Sequence, residues 1–319
     1  MAAVTNAYTT ASAVGIREDL TDNIYRVDVE DTPFMSNVGS NKATNTLHEW
    51  QTRALANVHT SNAVPEGDEV SRSASTANVR RNNVCQISRK DATVSGTLET
   101  VDKAGRDSEM ALQMADRTIE LRKDMEAILI SNQAFSNSST RNLRGFEAWI
   151  RTNTDRGPGS GTAGADPADP AGTPGTTATD ANALRSFTET LFLNTLQKVY
   201  TAGGNVSMAL MGPGQKRTAS GFAGRSASQV TVGKNEIRQA AGLYDSDFGV
   251  VKLVPHRYVR SSGRTVLLID PENVKVSYLR KMVRFPLAKI GDAETRVILS
   301  EYTLEMCNER AHGVIADLS

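Results

Sequence analysis

The stretch DKAGRDSEMALQMADRTIELRKDMEAILISNQ, residues 102–133, decides the architecture. Ala111, Met114, Thr118, Leu121, Met125 and Ile128 recur at steps of three and four, which draws one narrow apolar stripe along a helix. Lys103, Arg106, Asp107, Glu109, Asp116, Arg117, Glu120, Arg122, Lys123, Asp124 and Glu126 fill its other sides, and Asp102 is the expected N-cap. Unbroken, the segment makes a rod about 48 Å long. A thin stripe on a long charged rod suits a brace lying across a flat molecule, so the chain reads as a building component.

Upstream, residues 46–100 read as a β-ribbon. Thr46 to Arg53 and Val84 to Leu98 have strand character, the second alternating Ala92, Val94, Gly96 and Leu98 against Thr93, Ser95 and Thr97. The polar stretch Ser61 to Asn83 forms the tip between them. A lone ribbon is marginal in water and needs a neighbour to lean on. Residues 1–45 read as an arm, with an amphipathic patch at Ile24, Tyr25 and Val27. At Asp31-Thr32-Pro33-Phe34-Met35, Pro33 forces Thr32 out of the α region and presents Phe34 and Met35.

Downstream, Leu143 to Ile150 is a short apolar segment, and 157–179 is a Gly/Pro/Ala/Thr tract that reads as a surface loop. Residues 182–202 predict a helix with Leu184, Phe187, Leu191, Phe192, Leu196 and Val199 on one face, stopped by Gly203-Gly204. Strands are expected at Met208–Met211, Val250–Val254, Val266–Ile269, Val274–Leu279 and Arg296–Met306. Helical turns are expected near Lys216–Phe222 and Glu236–Leu243. The class is α+β, divided as arm 1–45, ribbon 46–100, a domain at 101–183, an α/β domain at 184–279, and a return to the first domain at 280–319.

The 319 residues carry 36 basic and 36 acidic side chains, which argues against a dedicated nucleic-acid binder. The charge is unevenly placed: three basic and six acidic residues in 1–45, against twelve basic and six acidic in 184–279. Opposite patches let copies attract one another. Cys85 and Cys307 match no zinc or redox spacing and read as buried thiols. Met1 to Ile16 lacks the basic and apolar regions of a signal peptide, and no eighteen-residue apolar run exists to span a membrane.

No motif carries catalysis. Gly159-Ser-Gly-Thr-Ala-Gly164 is a literal G-x-G-x-x-G, but it sits in the proline-flanked loop and not between a strand and a helix. Gly212-Pro-Gly-Gln-Lys216 lacks the phosphate-loop spacing. His48, His59, His256 and His312 stand alone, and the carboxylates lie amid basic neighbours, as on solvated faces. No catalytic residue, cofactor or metal is expected.

Read in order, several segments resemble the major capsid proteins of tailed bacteriophages. They include Thr21-Asp22-Asn23-Ile24-Tyr25, Asp31-Thr32-Pro33-Phe34-Met35, His48-Glu49-Trp50-Gln51-Thr52 and Val94-Ser95-Gly96-Thr97. Val101-Asp102-Lys103-Ala104-Gly105-Arg106, Arg122-Lys123-Asp124-Met125-Glu126, Ser246-Asp247-Phe248-Gly249, Leu287-Ala288-Lys289-Ile290-Gly291-Asp292 and Glu301-Tyr302-Thr303-Leu304-Glu305 continue the set. The resemblance implies the HK97 capsid fold, with N-terminal arm, E-loop, spine helix, peripheral domain and axial domain. It further implies a structural role, not an enzymatic one: self-assembly through hexamers and pentamers into an icosahedral shell around phage DNA, which is contacted non-specifically. A virion location follows, with assembly in the host cytoplasm and with scaffold, portal and decoration proteins as separate partners. An encapsulin-type nanocompartment is the alternative within the fold, and an enzyme with an unrecognised site the alternative outside it. Inter-subunit contacts are expected from Asp28, Glu30, Asp31 and Phe34 of the arm. At the ribbon, Glu66, Asp68 and Glu69 are expected to pair reciprocally between subunits with Arg72, Arg80 and Arg81. Some capsids of this kind weld themselves through an E-loop lysine, yet residues 43–89 contain no lysine, so a non-covalent shell is expected.

Overall fold

A computed structural model describes residues 14, 24, 26, 30–56, 58–69, 75–158, 164–167, 176–222, 242–260 and 263–319. The chain forms α1 (Pro33–Asn37), β1 (Gly39–Lys42), β2 (Leu47–Thr52), β3 (Val79–Val84), β4 (Gln86–Ser95), α2 (Gly96–Thr100) and α3 (Glu109–Ile130). Next come β5 (Ser136–Asn137), β6 (Arg141–Asn142), α4 (Phe146–Trp149), β7 (Thr154–Asp155), α5 (Glu189–Thr201), β8 (Met208–Met211) and α6 (Pro213–Ser220). The strands β9 (Leu243–Ser246), β10 (Gly249–Pro255), β11 (Val266–Ile269), β12 (Val274–Pro286), β13 (Ala293–Met306) and β14 (Gly313–Ile315) complete it.

The brace exists but is shorter than its sequence suggests. Gly105 adopts φ +75°, a left-handed conformation that interrupts helical propagation. Three residues on, Ser108 Oγ accepts the Ala111 N–H at 3.1 Å and caps α3, so Ser108 and not Asp102 opens the helix. Residues 96–100 form the separate α2, whose terminal carbonyls are gathered by Lys103 Nζ on Leu98, Glu99 and Val101. The 22 residues of α3 span about 33 Å. Met110, Met114, Leu121, Met125, Leu129 and Ile130 face the core with Ala92, Val94, Ile298, Tyr302 and Leu304. Each such burial contributes about 1.5–3 kcal/mol. Met114, Leu121 and Met125 are buried as expected, Ala111 is exposed and Thr118 and Ile128 half-buried, and Met110, Leu129 and Ile130 extend the buried stripe.

The ribbon is real but its second arm differs. β2 pairs antiparallel with β3, Leu47 opposite Val84 and Thr52 opposite Val79. Cys85 breaks the run, and β4 leaves the ribbon to pair with β13. The strand ends at Ser95, because Ser95 Oγ caps α2; Gly96 and Leu98 are therefore helical.

α3 lies on a four-stranded sheet of order β1-β12-β13-β4, and a second, six-stranded sheet has order β7-β14-β11-β8-β10-β9. α5 starts at Glu189, where Thr188 is the N-cap, and stops at Gly203, φ +89°, with Gly204 N–H on Val199 O. Its Phe192, Leu196 and Val199 pack with Phe187, Tyr244 and Val266 in a second core. Two domain boundaries shift. β12 begins at Val274 inside the four-stranded sheet, and β14 leaves that sheet's neighbourhood to pair with β11 in the six-stranded one. Residues 236–241 of the expected helix near Glu236–Leu243 lie outside the described residues, and Leu243 opens strand β9 instead. Most of the 157–179 tract also lies outside them. Its ends meet where Ala165 bridges Thr179, and Asp317 accepts the N–H groups of Gly157 and Ala181, each at 2.8 Å.

Candidate assembly interface

The expected contact residues separate sharply by burial. Phe34 is fully buried in its own subunit, edge-on to Phe146 at 5.8 Å, so it is no inter-subunit contact. Pro33 does turn the chain, but as the first residue of α1 it turns Phe34 inward. The Phe34 and Met35 N–H groups donate to the Glu126 carboxylate of α3 at 2.6 and 2.9 Å. His256, at the end of β10, completes that knot with Nε2 2.9 Å from Glu126 Oε1, both side chains sealed from solvent. Tyr258 N–H donates to His256 Nδ1 at 3.1 Å, which leaves Nε2 as the protonated ring nitrogen and Glu126 as the acceptor of three donors. The arm is thus tied to the brace and to the six-stranded sheet.

Outside this knot, Val14, Ile24, Arg26, Glu30 and Asp31 are exposed among the arm's described residues. Arg26 bridges Glu30 at 2.5 Å and Asp116 of α3 at 2.8 Å, so Glu30 is engaged within its own chain. Asp31 is exposed, and Asp28 lies outside the described residues.

At the ribbon, Arg80 pairs with Glu49 across the two strands while most of its side chain stays exposed. Arg81 is half-buried, and Arg72 lies outside the described residues. Glu66, Asp68 and Glu69 stand exposed at a turn where Gly67 takes φ +83° and Asp68 N–H meets Pro65 O. Leu55, Val58 and Val64 of the same tip are 89%, 93% and 71% exposed, an apolar set that nothing among the described residues covers.

The ribbon's base is anchored. Trp50 Nε1 donates to Met306 O at 2.8 Å, and its ring lies 5.7 Å from Trp149, which Arg144 covers. Glu305 accepts from His48, Asn41 and Ser277 at 3.0, 3.0 and 2.7 Å, joining β2, β1, β12 and β13. These bonds, the His48 one foremost, hold its carboxyl down at about 2. Glu301 holds Arg141 and Arg280, and Arg260 is clamped by Glu147 and Asp180. The carboxylates that read as solvated faces therefore include buried, paired ones; their partners are so remote in sequence that no local pattern signals them. His312 is buried, its Nδ1 accepting the Asp270 N–H at 3.2 Å, and burial pulls its pKa down to about 4. Cys85 and Cys307 are free thiols, Cys85 pushed up to about 11 by burial and Cys307 half-buried.

The far end of the four-stranded sheet is also exposed, though less fully than the ribbon tip. Val283, Phe285, Leu287 and Ile290 are exposed along β12 and the turn after it, Ile290 at 90%. Leu98 and Val101 at α2 add to them. A shallow cleft of about 430 Å³ opens there between Gly96, Thr97, Thr100, Val101 and Asp292. Among the described residues no His/Cys/Asp/Glu cluster is placed to hold a metal, and no helix is long and apolar enough to cross a membrane.

The sequence model of the SU10 major capsid protein family matches residues 3–319. The major capsid protein of Escherichia phage Phieco32 is 28% identical over 323 residues, covering 90% of each chain. Among solved structures, the capsid of a native GTA particle superposes with TM-score 0.64 at 10% identity, over 99% of this chain and 100% of that one. The phage G gp27 major capsid and gp26 decoration protein structure does so at TM-score 0.54 and 10% identity, over the whole of both chains. Identities this low carry the fold alone, and that fold is HK97-like.

Proposed function

The chain belongs to the SU10 major capsid protein family and is a phage major capsid protein forming an icosahedral shell, and on that premise we propose how its parts serve assembly. The β2–β3 ribbon acts as the E-loop, α3 as the spine, the four-stranded sheet as the peripheral domain and the six-stranded sheet as the axial domain. Hexamers and pentamers form in the host cytoplasm, scaffold, portal and decoration proteins are separate chains, and packaged DNA is met without sequence preference. The role is structural, without catalysis.

One observation supports this division above the others: among the described residues, large apolar side chains stand exposed at the ribbon tip, at the far sheet end and at Leu243 and Val250 on the edge of the six-stranded sheet, while the centre is closed by the chain's own polar knots. Surface of that kind is what copies cover in each other. Electron microscopy of the purified protein, with and without a scaffold protein, tests it. Closed particles are expected, and a monodisperse monomer at high concentration in both conditions counts against it. DNA inside particles from infected cells separates a capsid from a nanocompartment.

A further inference from the structure

We propose that the end of the six-stranded sheet where β8 and β10 finish is the surface through which the subunit meets the phosphate backbone of packaged DNA, with Arg217, Arg257 and Arg264 as the contacting cations. The inference rests on the shell reading above and adds to it which side of the subunit faces the interior.

Topology assembles this surface. β8 and β10 run parallel, Leu210 beside Val254 and Met211 beside Pro255, so the connections that follow them leave the sheet side by side. The two connections touch. His256 N–H donates to Met211 O at 2.8 Å, and at Gly263, φ +111°, a Cβ would come within 3.1 Å of Gly212 Cα. The carboxyl ends of parallel strands are where open α/β sheets gather their ligand-binding groups. α6 opens at the same place, with the positive end of its dipole at Pro213.

Charge names the class of ligand. The chain is neutral as a whole, yet residues 206–222 and 251–269, which include both connections, hold six basic side chains and no acidic one. Arg260 is spent on Glu147 and Asp180. Arg217, Arg257 and Arg264 are exposed and form no ion pair among the described residues. Asp180 feels the charge of Arg264, but both of its oxygens are taken by Arg260 at 2.6 Å. The Ser319 carboxylate, beside Gln215, offsets one of the three charges at most. Arg141, Arg185 and Arg280, by contrast, each hold a carboxylate of their own chain.

What surrounds the arginines separates a nucleic acid from a protein partner. No large apolar side chain of residues 206–222 or 251–269 stands exposed among the described residues, so the surface lacks what a protein would bury. The far end of the four-stranded sheet is the opposite case. Its Arg280 and Arg296 pair with Glu301 and Glu294, and Val283, Phe285 and Leu287 stand exposed among them. Free guanidinium groups on a polar surface fit phosphate, which accepts them bidentately. Inside a shell around DNA, the duplex backbone supplies phosphate at every step.

Fluorescence anisotropy of the folded, unassembled full-length subunit with a labelled short duplex of random sequence, measured against salt, tests the contact. Each neutralised phosphate contributes about 0.9 to the slope of log K against log[salt], so Arg217→Gln/Arg257→Gln/Arg264→Gln should flatten the slope by about 2.7. The advantage of the wild type over that variant should shrink about 40-fold between 50 and 200 mM salt. The triple arginine-to-lysine variant should keep the wild-type slope, because a point charge suffices for phosphate. An unchanged urea midpoint certifies the fold, and where the triple variant does not fold, the single Gln substitutions, each flattening the slope by about 0.9, supply the same test. A folded Gln variant as salt-sensitive as the wild type, or a Lys variant as flat as the Gln one, overturns the proposal. So does a peptide of residues 1–31 that these three arginines bind more tightly than the duplex, which would assign the surface to an acidic arm. A wild-type chain that builds no shells, or shells without DNA in infected cells, sinks the shell reading itself. DNA-filled shells with no change of slope at these arginines sink only this inference.

Discussion

The near and far ends of the four-stranded sheet are built from the same strands yet finished by different means. At the near end Glu126, Glu301 and Glu305 gather the arm, the ribbon base and both sheets into buried hydrogen-bonded knots. At the far end the same β12 and β13 run out under exposed Val283, Phe285 and Leu287, with Arg89 and Asp91 of β4 beside them. Polar groups inside and apolar groups outside invert the usual distribution. The inversion makes sense when the near end specifies one subunit and the far end is completed only by another. Substitutions at the near end should therefore reduce subunit stability, and those at the far end should reduce assembly alone.

The largest effect is expected at Glu126. Its removal leaves the Phe34 and Met35 N–H groups and His256 Nε2 buried without an acceptor. Glu126→Ala should cost about 3–5 kcal/mol in urea unfolding of the unassembled subunit. At the other end of the same helix contact, Arg284→Ala deletes an exposed bond to Thr118 and should change stability by less than about 0.5 kcal/mol. Equal losses at the two sites would break the comparison.

Acid should dismantle the near end in two stages. His312 is held neutral by burial, with its pKa lowered from 6.5 to about 4. Its contribution is intact above pH 6.5, is lost as the unfolded chain takes up a proton that the fold refuses, and levels off below about 4, a total of about 3 kcal/mol. Glu305 is lowered from 4.5 to about 2, so its contribution is complete above 4.5 and disappears as pH falls through 2. Solvent at its rim trims that stage to about 2 kcal/mol. Urea midpoints measured against pH should lose the first stage in His312→Gln and the second in Glu305→Gln. A wild-type midpoint flat from pH 7 to 3 would remove the first assignment.

Periodicity made the brace legible, because a stripe on a helix repeats locally whatever it packs against. Its start was not, since Gly105 and Ser108 act through one backbone angle and one cap, both compatible with a helical pattern on either side. The ribbon's second arm was misread for a similar reason: Cys85 separates β3 from β4 by a single residue, and alternation does not say which partner a strand will choose. The knots were invisible in principle. Glu126 meets Phe34 across 92 positions and His256 across 130, and a lone histidine or a glutamate among lysines looks the same whether buried or wet. The tip acids stand exposed, as a polar tip predicts, but the pairing of Arg80 with Glu49 across the ribbon had no local signal.

A smaller effect on the subunit is expected where the effect on the shell is large. Phe285→Ser and Ile290→Ser remove side chains already 38% and 90% exposed. Unfolding of the unassembled chain should shift by less than about 0.5 kcal/mol at Ile290 and about 1 kcal/mol at Phe285. Particle yield by sedimentation should fall for both. A folded variant that assembles normally would move the far end from interface to ordinary surface.

The smallest effect is no shift at all, and it concerns the type of bond that holds neighbouring copies together. An amide cross-link from the ribbon needs an amine that can lose its proton, and lysine is the side chain whose pKa shifts readily enough on burial. Residues 43–89 contain none. Lys42 ends β1, and Lys90 sits in mid-β4 against Asp124, so neither is carried on the ribbon. The tip's charged groups are carboxylates and arginines, and a guanidinium stays protonated and is no nucleophile. Many exposed pairs of about 0–1 kcal/mol each, repeated with apolar contact over a shell, hold without covalent help. Mature particles boiled in denaturing detergent should therefore run as one band near 34.4 kDa. A ladder that survives boiling and reducing agent would show that the far end is welded, and the division between a self-finished near end and a non-covalently completed far end would have to be redrawn.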